Sequence, residues 1–172
     1  MEWTGARYAD CPTVQAAVVV DAPPGRVWRL VSDPTAMPRW SAELRAVRWL
    51  DGAREAAPGA RFEGSSAHPA LGEWSTVSRV ESCEPEHCFA WAVQRDGEEP
   101  GARWRFTLRP TGDGGTELVQ WAQLGPGRSG LSLAIERMPE KEQKIVFVRL
   151  REFEESINRT LALIKREAEE GR

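Results

Sequence analysis

The segment from about residue 140 to 169 limits the possible folds of this chain more than any other. Val146, Leu150, Phe153, Ile157, Leu161 and Ile164 step by three and four, the apolar stripe of a long amphipathic helix. Glu152, Glu154, Glu155, Arg159, Lys165 and Arg166 fall mostly on the other side. One long stripe needs an equally long apolar surface to cover it. Upstream, the chain supplies strand-like runs separated by turn residues. These are Val14–Val20, Leu44–Leu50, Ala60–Ser66, Glu73–Cys83, Cys88–Gln94, Arg103–Arg109 and Thr116–Leu124. Asp51-Gly52, Pro58-Gly59, Asp96-Gly97 and Gly112–Gly115 punctuate them, and runs this close should pair antiparallel. Between the first two runs, Pro23 opens a short helix that Asp33-Pro34 stops, and a second helical turn covers Thr35–Trp40. The predicted fold is α+β: a curved antiparallel sheet of about seven strands around a long C-terminal helix. A single helix covers one face of the sheet, so the other is wet. Where the sheet curls beyond the helix, the gap is a pocket.

Alternation assigns faces. Trp104, Phe106 and Leu108 share one side of their strand, with Arg103, Arg105 and Arg109 on the wet side. Phe89, Trp91 and Val93 alternate likewise. On the long strand Trp74, Thr76, Ser78 and Val80 share a face that is apolar at its ends and polar in its middle. A pocket with a few hydroxyls suits that pattern better than a uniform core does. If Phe62 points inward, Glu63 points to solvent. The phase of 117–124 puts either Gln120 or Trp121 inside. Residues 125–139, with GPGRSG and an apolar piece Leu131–Ile135, read as a loop or lid with room for one helical turn.

The chain has 172 residues, enough to bury a core as one domain over 1–172 with its body at about 14–169. It carries eight Trp against one Tyr, and broad, flat rings with a single donor suit a cavity wall. The formal net charge of −3 argues against nucleic-acid partners. The sequence contains no apolar stretch long enough to span a membrane and no apolar leader. Three Cys are an awkward count for a disulfide scaffold, so a cytoplasmic setting is expected. Cys83, His87 and Cys88 fit no zinc spacing, and no phosphate loop or nucleophile elbow is present. No cofactor or metal is expected, and nothing in the sequence specifies an oligomeric state.

Several motifs together resemble the START-like (SRPBCC) superfamily, within it the polyketide cyclase/dehydrase and lipid-transport group. They are Ala22-Pro23-Pro24-Gly25-Arg26-Val27-Trp28, Pro38-Arg39-Trp40-Ser41, Pro58–Gly64, Cys83–Trp91, Pro110–Leu118 and Arg159–Lys165. The resemblance implies a helix-grip fold with a hydrophobic pocket between sheet and helix. It also implies that Trp40 is a pocket wall and Leu118 a core position, which favours Gln120 inward. Superfamily members include lipid carriers, polyketide aromatases and co-chaperone domains, so fold alone does not select a function.

Three functions follow as expectations. The first is binding of an apolar or aromatic small molecule. Its walls would be Trp40, Phe62, Trp74, Trp91, Trp104 and Phe106, with Phe153 and Ile157 from the helix. Thr76, Ser78 and Gln120 would orient the ligand. The second is a polyketide aromatase/cyclase in the same pocket, with Ser78 or His68 as candidates for proton transfer. His68 precedes Pro69 in a loop near the expected pocket mouth, and an inward Arg79–Ser78 pair requires a bulge. The third is a protein-interaction module that uses no ligand.

Overall fold

The computed structural model describes residues 1–95 and 97–171. The strands are β1 (Thr13–Val20), β2 (Leu44–Trp49), β3 (Arg61–His68), β4 (Gly72–Glu84), β5 (Cys88–Val93), β6 (Ala102–Pro110) and β7 (Thr116–Leu124). The helices are α1 (Pro24–Val31), α2 (Gly130–Arg137) and α3 (Glu142–Glu170). A 3-10 turn, Pro34–Arg39, follows α1, with the Asp33 side chain accepting from the Thr35 N–H. Of the expected turn Asp96-Gly97, Asp96 lies outside the described residues.

All seven strands form one antiparallel sheet in the order β1-β7-β6-β5-β4-β3-β2. Hairpins link β2 through β7 consecutively, and β1 returns beside β7 to leave an open sheet with two edges. The 29-residue α3 crosses its concave face. Val146, Leu150, Phe153, Ile157, Leu161 and Ile164 are all buried, as the three-and-four spacing requires. This is the helix-grip arrangement. The backbone of α3 runs closest to β1, less closely to β7, and stands farther from β3, β4 and β5. The C-terminal turns are tied down by Lys165 Nζ on the Val19 carbonyl and by the Asp21 N–H on Glu169.

Two segments differ from the sequence expectation. Residues 130–137 form an eight-residue helix, more than the loop with a single helical turn expected there, because Ser129 and Ser132 cap one another at its start. The preceding Gly-Pro-Gly is pinned rather than lid-like. Gly125 and Gly127 donate to the Gly101 and Pro100 carbonyls, and a Cβ on Gly127 would overlap the Glu99 carbonyl. The single Tyr explains much of this. Tyr8, in a stretch expected to be a loose lead-in, is 6% exposed. Its hydroxyl contacts the Gly101 and Gly127 carbonyls at 3.0 and 2.8 Å and Ser129 Oγ at 2.9 Å.

Candidate functional site

Register fixes what faces the helix. Directly opposed antiparallel residues share a face, so the pairs Trp91↔Trp104, Phe89↔Phe106, Phe106↔Gln120, Phe62↔Ser78, Gly64↔Thr76 and Ser66↔Trp74 line the concave side. Gln120 is therefore inward and Trp121 outward, where the Arg105 guanidinium lies 4.8 Å from the Trp121 ring centroid. Glu63 also faces out and pairs with Arg48 at 2.9 Å. Arg103 and Arg109 meet Glu81 and Glu117 on the wet face.

The inner face carries a chain of touching rings. Trp49 meets Phe62 at 5.7 Å, Phe62 meets Trp91 at 6.4 Å, and Trp91 stacks on Trp104 at 6.3 Å with planes 10° apart. Trp104 reaches Phe153 of α3 at 4.6 Å. Phe106 joins through Trp91 at 5.9 Å. These rings cross from the β2 edge to the helix where its backbone stands off from the sheet. Beyond them, Ser66, His68, Trp74 and Thr76 are only half-buried on the concave side of the β3–β4 hairpin, where His68 faces Glu152 of α3. Two open hollows flank the C-terminal turns of α3, and neither includes a residue from a strand.

Trp40 is buried on the C-terminal half of α3. Its indole N–H donates to Glu167 at 2.7 Å, and its carbonyl accepts from Thr160. Ile157 is buried under the same helix.

The polar residues fall into separate groups. Ser78 lies in register with Phe62, and His68 lies six residues farther along β3, roughly 20 Å at strand rise. Ser78 and Gln120 are separated by roughly 13 Å along the strands and roughly 14 Å across them, following the sheet. The bulge in β4 falls between Val80 and Ser82, after Arg79. Arg79 therefore stays on the outer face, opposite Arg61 and Ala92, and no inward Arg79–Ser78 pair forms. Cys83 faces inward opposite Phe89, whereas Cys88 faces outward opposite Thr107. Burial raises the Cys83 thiol pKa above its ordinary value.

His68 is not in a loop, as the sequence reading had it. It ends β3 in register with Gly72, because the turn is confined to Pro69–Leu71. Its Nδ1 accepts the Ala70 N–H at 3.1 Å, which leaves the ring proton on Nε2, 3.7 Å from Glu152 Oε1. Glu152 in turn accepts from Arg149 at 2.7 Å, and Arg149 makes a bidentate pair with Glu43 at 2.7 and 2.8 Å. Burial alone would lower the Arg149 pKa, but its hydrogen bonds to Glu43 and Glu152 hold it above the ordinary value. Ligand atoms of Glu43, His68 and Glu152 lie within 4.8 Å of one another. The group does not suit a cation: the Arg149 guanidinium already serves both carboxylates, and the His68 lone pair is taken by a backbone N–H. It is an ionic clasp that ties α3 to the segment before β2 and to the end of β3. The sequence singled out His68 alone, since Glu43, Arg149 and Glu152 read as ordinary surface charges.

The family model for polyketide cyclase / dehydrase and lipid transport matches residues 12–152. No curated protein matches the sequence. Among solved structures, a polyketide-cyclase-like protein of Corynebacterium glutamicum is 27% identical at TM-score 0.62, over 90% of this chain and 89% of that one. A Deinococcus radiodurans protein is 22% identical at 0.62, over 94% and 100%. The Zhui aromatase/cyclase of Streptomyces sp. R1128 is 16% identical at 0.66, over 90% and 94%. At such identities the last two show a shared fold.

Proposed function

This chain belongs to the polyketide cyclase/dehydrase and lipid-transport family, and on that premise we propose that it binds an apolar, aromatic small molecule between sheet and α3. The ring chain Trp49–Phe62–Trp91–Trp104–Phe153 carries the reading, because it is a continuous row of aromatic contacts running from the β2 edge of the sheet to α3. A flat ligand inserts by exchanging ring–ring contacts for ring–ligand contacts, which costs little dispersion and hides the ligand's apolar surface. Trp74, Thr76 and Ser78 lie along β4 on the entry side of this insertion, with Phe106 and Ile157 deeper. Trp40 braces the far wall. N-phenyl-1-naphthylamine, excited by energy transfer from tryptophan, tests this. Saturable one-to-one enhancement, weakened by Trp104→Ala, is expected. No saturable signal contradicts the reading.

An aromatase/cyclase activity is the second reading, favoured by the placement of His68 Nε2 beside Glu152 at the mouth. There the His68 Nε2–H donates to the carbonyl oxygen of an enolising ketone while the Glu152 carboxylate takes the proton from the adjacent carbon. Conversion of a poly-β-ketone thioester to a cyclised aromatic product, lost in His68→Ala with probe binding retained, is the expected result. No product from the intact protein contradicts it.

A further inference from the structure

Gln120 stands apart from every other buried polar side chain described. It is 6% exposed and lies on the concave face, directly opposite Phe106 on one side and Ala16 on the other. Its Oε1 is fully buried and has no hydrogen-bond partner. Thr116, by comparison, is fully enclosed but donates to the Ala22 carbonyl at 2.7 Å. A buried amide oxygen without a donor costs stability, and an apolar residue of similar size would avoid that cost. The oxygen also has an address. Phe106 belongs to the ring cluster through Trp91, and Trp104 is the diagonal neighbour of Gln120 on β6.

We infer that Gln120 is the deep recognition point of the cleft and selects aromatic ligands that carry a hydroxyl donor at their leading end. This rests on the binding reading above and adds a ligand class to it: phenols and enols, rather than aromatic hydrocarbons, ethers or ketones. The hydroxyl donates to Gln120 Oε1 while its ring takes over contacts with Phe106 and Trp104. An ether or ketone at the same place can accept only from the Gln120 Nε2–H and leaves Oε1 without a donor, and discrimination comes from that penalty. Thr76 and Ser78 are too distant along the sheet to serve the same group.

Titration calorimetry with 2-naphthol and 2-methoxynaphthalene, on the intact protein and on Gln120→Met, separates the possibilities. Met keeps the length of Gln without its carbonyl, and Gln120→Leu serves as a second variant. The preference for naphthol over its ether should fall about fivefold or more in the variants, a hydrogen bond's worth, mainly through weaker naphthol binding. A preference unchanged by either substitution overturns the inference and leaves apolar binding intact. Failure of both compounds to bind the intact protein overturns both. Unliganded Gln120→Met should melt no lower than the intact protein. A clearly lower melting temperature in both variants would show that the amide is satisfied inside the protein, by water for example, and would also overturn the inference.

Discussion

Arg149 on α3 holds both oxygens of Glu43, at 2.7 and 2.8 Å, and so ties the helix to the segment entering β2. The two side chains are 12% and 25% exposed, which makes this more than a surface pair. The Ser41 hydroxyl accepts the N–H groups of Glu43 and Leu44, fixing the Glu43 backbone. The Arg149 guanidinium also lies 4.9 Å from the Phe153 ring centroid, and Phe153 touches Trp104. The clasp and the row of aromatic rings are thus in direct contact.

Glu43→Ala leaves Arg149 with Glu152 as its remaining carboxylate partner. A loss of about 1–3 kcal/mol is expected in urea unfolding. The same substitution loosens the mouth, so N-phenyl-1-naphthylamine should associate faster in stopped-flow measurements. Unchanged association would separate the clasp from access to the cleft.

Tyr8 gives a pH prediction with a defined sign. Burial raises its phenol pKa above the ordinary value, outweighing the lowering effect of its Ser129 hydrogen bond. The folded state thus keeps a proton that the unfolded chain releases at about pH 10. Its contribution is complete below that pH and is lost as pH rises through the folded value. As the only Tyr in the chain, its ionisation is read directly from tyrosinate absorbance. Tyr8→Phe should remove that alkaline dependence and cost about 1–2 kcal/mol at neutral pH, since the Gly101 and Gly127 carbonyls lose a donor.

Gly64 sits on the concave face between Val47 and Thr76. A Cβ there would come within 2.9 Å of Leu44 Cδ1, the mobile end of a side chain. Gly64→Ala should therefore change stability by less than about 1 kcal/mol. It narrows the entry side of the cleft, and a several-fold weaker probe affinity is expected by fluorescence titration.

Trp121 is the control on the opposite face. Trp121→Ala removes the Arg105 stacking contact and should cost about 0.5–1 kcal/mol in unfolding, with probe affinity unchanged. A loss of affinity would place the ligand outside the grip.

How far the sequence reached depends on the kind of signal. Periodicity located α3 and the inner faces of β5 and β6, because one face of each element is apolar and the other polar. The phase of β7 could not be read from alternation alone, since Leu118, Gln120 and Ala122 on one face oppose Val119 and Trp121 on the other. The match of Leu118 to a core position only tilted the choice towards Gln120, and the pairing of Gln120 with Phe106 decides it. Contacts remote in sequence were invisible. Nothing in the run around Tyr8 marks its link to Gly101, Gly127 and Ser129, and nothing in α3 marks Arg149 as the partner of Glu43. His68 was misplaced because a Pro at the next position reads as a loop, yet β3 continues to the residue before it.

The indole N–H signals of the tryptophans offer the most direct test of ligand binding between sheet and helix. In a proton–nitrogen correlation spectrum titrated with 2-naphthol, the signals of Trp74, Trp91 and Trp104 should shift together and saturate. Those of Trp3 and Trp121, outside the grip, should stay in place. Shifts confined to Trp3 or Trp121, or none at saturating ligand, would contradict the account.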